Sequence, residues 1–115
     1  MQVQRWNDAE GERMSPLVSR QVLHTGTMTM ARLVLGKGAV VPLHHHINEQ
    51  ISTIVAGKLL FEIDGKPITV GAGESVVIPP NVPHRVEAIE DAIALDVFSP
   101  AREDWIRGDD AYLRK

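Results

Sequence analysis

Three of the five histidines stand together as His44-His45-His46, with Gln50 close behind and a further imidazole at His84. Side chains on an extended strand alternate sides, so His44 and His46 point one way and His45 the other. Gln50 shares the parity of the first two, whereas its neighbour Glu49 points with His45. Two imidazoles one residue apart, an amide oxygen and an imidazole from elsewhere can converge on one divalent cation. His84 follows Pro79-Pro80-Asn81-Val82-Pro83, a turn that its prolines make rigid, as a metal ligand requires. Taken without its surroundings, the histidine run suits a polar turn as well as a metal site; the wider spacing decides for metal.

The ligand types set the electrostatics. A divalent ion on three neutral imidazoles and a neutral amide keeps a local charge of about +2, where a glutamate in place of Gln50 would leave about +1. Such a centre attracts anions, acts as a stronger Lewis acid and leaves positions open for substrate or water. Nickel, iron, zinc and manganese all accept these ligands. With no cysteine in the chain, disulfides, thiolate sites and thiol nucleophiles are excluded.

A second group of candidates lies in Leu95-Asp96-Val97-Phe98-Ser99-Pro100-Ala101-Arg102. Asp96 and Phe98 share one strand face, and Leu95 and Val97 the other. If the first face lines a barrel, a carboxylate and an aromatic ring look toward the metal. The alternative is that Asp96 caps a turn and Phe98 is core. Arg102, just past the strand, either reaches over the barrel mouth to a substrate carboxylate or forms an ion pair with Glu103 or Asp104.

These residues need a scaffold of short strands. Met28–Leu35, Glu49–Ala56, Leu59–Ile63, Lys66–Val70, Ser75–Ile78, Arg85–Ile89 and Ala92–Phe98 read as extended runs broken by glycine and proline. Asp64-Gly65 is a strong two-residue hairpin signal. Many short strands with regular turns point to an all-β barrel or sandwich. Pro100 opens one turn of helix with Glu103 and Asp104 early in it, and Gly108-Asp109-Asp110 breaks it. The first twenty residues show no clean period. The 115 residues are read as one domain: a barrel core at about 28–99, an N-terminal segment 1–27 wrapping the barrel or a partner chain, and a C-terminal tail 100–115.

The totals limit the partners. With 43% hydrophobic and 23% charged residues and a net charge of −3, the composition is that of a globular protein. Neither a nucleic-acid surface nor an anionic-membrane surface is expected. No signal segment and no run of 18 apolar residues is seen, so the cytoplasm is the default expectation.

The long gapped pattern resembles the cupin superfamily. Its first motif is matched by Gly38, His44-His45-His46, Gln50 and Gly57, and its second by Gly73, Pro79, Asn81 and His84. Asn81 replaces the usual glycine of the second motif; asparagine tolerates the left-handed backbone that glycine supplies. Position 88 is alanine, where many relatives carry asparagine. The resemblance implies a jelly-roll (double-stranded β-helix) fold with one divalent ion on His44, His46, Gln50 and His84. The His-x-His-x3-Gln pattern, with Asp-Val-Phe-Ser-Pro-x-Arg-Glu-Asp-Trp, is similar to the small KdgF-like cupins of pectin and alginate breakdown. That likeness implies conversion of unsaturated uronate monosaccharides to open-chain keto forms, with catalytic roles for Asp96 and Arg102 and substrate contacts from Phe98 and Arg102. It also implies a small-molecule, anionic sugar-acid substrate. A homodimer is expected, because Leu95 and Val97 face away from the pocket. Two rivals stand: a metal-dependent iron dioxygenase, and a non-enzymatic sugar-binding or regulatory module.

Overall fold

A computed structural model describes residues 1–7 and 11–114 of the chain. Residues 8–10 and 115 lie outside that description, so the wrapping role expected of segment 1–27 is addressed only for its other residues. Among the described residues the strands run β1 (Glu12–Ser15), β2 (Val18–His24), β3 (Thr29–Leu35), β4 (Val40–His44), β5 (Glu49–Ala56), β6 (Lys58–Ile63), β7 (Lys66–Gly71), β8 (Ser75–Ile78), β9 (His84–Ala88) and β10 (Ala92–Ser99). One turn of helix, α1 (Glu103–Ile106), and a short 3-10 helix, Ala111–Leu113, follow.

The turns follow from local chemistry. Asp64 and Gly65 have φ of 52° and 76°, the left-handed pair that a tight hairpin between twisted strands needs. They join β6 to β7 in register from Lys58↔Gly71 to Ile63↔Lys66. Gly57, between β5 and β6, has φ of 79°, and a Cβ there would stand 2.0 Å from the Asp91 carbonyl oxygen. Only glycine lets that turn pass beneath the acidic turn before β10. Asn81 has φ of 63°, so it does take the conformation left by the missing glycine.

All strand pairs are antiparallel. One sheet is ordered β1-β2-β3-β10-β5-β8 and the other β4-β9-β6-β7. They close over an apolar interior containing Leu33, Leu35, Ile54, Leu59, Phe61, Ile78 and Val86. Truncating a fully buried ring such as Phe61 to alanine costs about 3–5 kcal/mol in comparable cores. This filled lower half is the rigid base on which the polar upper half is built.

Three strands lie outside the runs read from the sequence; of these, β4 was expected only as the extended stretch that carries His44. β1 and β2 extend the six-stranded sheet outside the span 28–99, with β2 paired to β3 from Val18↔Leu35 to His24↔Thr29. Arg20 is 5% exposed on the inward side of β2, and this buried charge interrupts the apolar alternation that marks a strand. No described helix is long and apolar enough to cross a membrane.

Candidate metal centre and the cavity around it

The strands deliver the histidines to one end of the barrel. His44 closes β4 and pairs in register with His84, which opens β9. His46 lies beyond β4, in the loop before β5, rather than on the strand itself. Its carbonyl accepts a 2.7 Å hydrogen bond from the Asn81 N–H, which ties that loop to the turn carrying His84. Ring centroids are 5.6 Å apart for His44 and His46, 4.2 Å for His44 and His84, and 4.9 Å for His46 and His84. One nitrogen from each lies within 4.8 Å of those of the other two.

Backbone carbonyls orient all three rings. The Nδ1 atoms sit 2.7 Å from Pro42 O for His44, 3.0 Å from Asn48 O for His46 and 2.9 Å from Val82 O for His84. A carbonyl only accepts, so each Nδ1 carries the proton and each Nε2 a lone pair. Burial pushes His44 and His46 down to about 4 and lowers His84 as well, so the rings are neutral near pH 7.

Gln50 completes the set from the other sheet. Its Nε2 donates to Ser52 Oγ at 2.9 Å and to Asp96 Oδ2 at 3.3 Å, which turns its Oε1 toward His46 Nε2, 3.1 Å away. Two lone-pair atoms thus face each other, and the buried Nε2 of His84 has no hydrogen-bond partner. Both features cost free energy in a protein that holds nothing there. Three imidazole nitrogens and an amide oxygen fit a divalent first-row cation.

The second candidate group lines the same cavity. Asp96 and Phe98 point inward on β10, with Leu95 and Val97 on the other face. Asp96 is 5% exposed and its Oδ1 has no partner. Burial raises its carboxyl to about 6, against the lowering influence of Ser52 and Arg102. Phe98 meets His46 edge-on at 5.7 Å. The guanidinium of Arg102 stacks 4.7 Å from the Phe98 centroid and 4.1 Å from that of Trp105. It also grips Asp104 through Nε and Nη2 at 3.0 and 2.9 Å. Arg102 therefore lies at the cavity and forms the ion pair as well; the two readings are not exclusive. Its position is fixed from behind. Asn48 Nδ2 bonds the carbonyls of Pro100 and Ala101, and the Arg102 N–H donates to Thr29 Oγ1 at 2.9 Å.

Tyr112 and Trp105 line the cavity as well; Trp105 ends the Arg-Glu-Asp-Trp pattern without having been given a role, and Tyr112 was not singled out at all. Tyr112 stacks on His44 with centroids 4.5 Å apart and planes at 29°. Its hydroxyl accepts from Arg102 Nη2 at 2.7 Å and Trp105 Nε1 at 2.9 Å. A lone tyrosine far along a polar tail carries no periodic signal.

Comparison with known proteins agrees with this geometry. Residues 31–98 match the Cupin domain family. The fold superimposes on KdgF from Halomonas sp. with a TM-score of 0.83 and 27% identity, over 88% of this chain and 94% of that one. An RmlC-like cupin from Shewanella frigidimarina gives 0.83 and 31% identity, over 89% and 93%. The 3-hydroxyanthranilate 3,4-dioxygenase of Candida albicans is 28% identical over 99 residues, 81% of this chain and 56% of that protein. The matches span 56–62% of the length of the curated relatives.

Proposed function

Because the chain belongs to the cupin family, we propose that it holds one divalent metal ion on His44, His46, Gln50 and His84 and converts unsaturated uronate monosaccharides to linear keto forms. The observation that carries this reading is the placement of Asp96. Its unpartnered Oδ1 and the three imidazole Nε2 atoms belong to one polar end of the barrel, above an apolar floor. A bound divalent ion supplies Lewis acidity toward sugar oxygens. Asp96 holds and moves the proton at Oδ1 as the ring opens and an enol becomes a ketone. Arg102 orients the uronate carboxylate. Leu59 and Phe61 keep water from the cavity floor. The reaction is an isomerisation, so it needs neither an oxidant nor a covalent nucleophile. The likeness to Halomonas KdgF supports this choice.

The test is the decay of an unsaturated uronate, followed by its ultraviolet absorbance or by NMR, on metal-loaded protein. Absence of turnover with the metal confirmed would remove the reading. The likeness to a dioxygenase favours a second one, in which the same ligands hold iron. Oxygen uptake with an aromatic substrate separates the two; a module that only binds would show neither.

We propose separately that the protein is a homodimer. Ile51, Val55 and Val77, on the outer face of the six-stranded sheet, are 43%, 52% and 56% exposed and invite a second copy. Light scattering at micromolar concentration distinguishes dimer from monomer.

A further inference from the structure

The C-terminal segment narrows the cavity beside the histidines, where the centres of water-sized molecules have about 40 Å³ of space. Tyr112 lies over His44, and Leu113 is buried against the core. The hydroxyl of Tyr112 accepts from Arg102 Nη2 and from Trp105 Nε1, a cation and a neutral donor converging on one oxygen.

The closing segment is held mainly by side chains. Its backbone bonds, Leu113 N–H to Asp110 O and Arg114 N–H to Ala111 O, close within the segment itself. The attachment to the barrel combines the burial of Leu113 and the contacts of Tyr112 with an ion network. Asp110 accepts from Arg20 Nη2 at 2.9 Å and Arg114 Nε at 3.0 Å, and Arg114 Nη2 reaches Glu12 Oε1 at 2.6 Å. This latch is incompletely satisfied, because Nε and Nη1 of the buried Arg20 lack partners. Water would reach those groups if the segment moved away, which offsets part of the cost of opening.

We propose that Asp110–Arg114 is a displaceable plug, and that a carboxylate ligand opens the site by taking the Arg102 Nη2 and Trp105 Nε1 donors from the Tyr112 hydroxyl. The proposal rests on the reading above only for the class of ligand. Its consequence is that apparent affinity for a carboxylate is reduced by the fraction of molecules that are open. Trp105 is then a ligand-binding residue, and Tyr112 is the group the ligand displaces.

The test uses the full-length, metal-free chain, so that neither turnover nor metal affinity enters. In a Trp6→Phe background, Trp105 gives the only indole N–H signal. D-galacturonate is titrated by NMR, with D-galactose as the uncharged control, against the parent and against Asp110→Asn and Tyr112→Ala. Galacturonate should shift the indole signal and abolish the proximity of Tyr112 to His44, and galactose should do neither. Both variants should bind galacturonate more tightly, by about tenfold. Asp110→Asn breaks the latch without touching either donor, so it answers the question even if Tyr112→Ala folds poorly. Three results would overturn the plug: unchanged affinity in the variants, binding with the Tyr112–His44 contact intact, or no binding in any variant. Each stands apart from the uronate assay, which can fail with the plug upheld.

Discussion

His46 Nε2 faces Gln50 Oε1 across 3.1 Å, and neither atom has a proton to offer the other. The pairing makes sense when both serve a cation. Replacing His46 and His84 by alanine together should remove the roughly one divalent ion per chain expected of the purified protein. Metal analysis at full occupancy in the double variant would disprove the site. Saturating metal should also raise the melting temperature of the parent, since a ligand at a hundredfold its Kd adds about 2.7 kcal/mol.

Asp96→Asn tests the proton carrier. The change keeps the volume and one acceptor oxygen, so metal content should persist. Uronate turnover should fall by about 10²–10⁴-fold, the usual worth of a general acid or base. A variant with parental kcat would take Asp96 out of the mechanism.

Arg102→Ala should do more than weaken substrate affinity. It removes a guanidinium packed on two rings and hydrogen-bonded to Asp104 and Tyr112. Charge-assisted hydrogen bonds are worth about 1.5–3 kcal/mol each, so a loss of at least 2 kcal/mol is expected in denaturant unfolding. If stability is unchanged while KM rises, Arg102 has a binding role alone.

The latch predicts a pH dependence. Hydrogen bonds from Arg114, and from Arg20, hold the carboxyls of Asp110 and Glu12 below the usual carboxylate range. A depressed carboxyl contributes stability above its unfolded value and loses it as pH falls through the folded one. Lowering the pH from neutral toward about 3 should therefore lower the protection factors of the Leu113 and Arg114 amides, each measured against the intrinsic exchange rate at that pH. The effect should shrink in Asp110→Asn and at high salt, because Glu12 and Arg114 are partly exposed. Asp96 acts with the opposite sign: its raised carboxyl favours the folded state at low pH and loses that contribution as pH rises through about 6. Comparing variants isolates the latch; total stability would not.

Strand parity reads directly from residue types where one face is buried and the other is not. It put Asp96 and Phe98 inward, and it separated Gln50 from Glu49. The Asp-Gly hairpin and the asparagine in a glycine position were legible for the same reason, since few residues tolerate that backbone. The first two strands were not, because Arg20 fills an inward position usually held by an apolar side chain. Nor was Tyr112. Its location depends on Arg102 and Trp105 stacking together, a tertiary relation that no local pattern encodes. His46 was brought to the right place by the wrong argument: it sits past the end of its strand, and the carbonyl of Asn48 rather than strand alternation aims its ring.

The bond from the Asn81 N–H to the His46 carbonyl makes the two ligand-bearing loops one mechanical piece. The portable unit of this site is then larger than either motif. A graft of residues 38–57 alone into another barrel would carry His44, His46 and Gln50 but leave the His46 loop without its brace. A graft of both segments would take the frame along with the ligands. For anyone transplanting or redesigning this centre, the main-chain link between the loops is as much a part of the specification as the imidazoles.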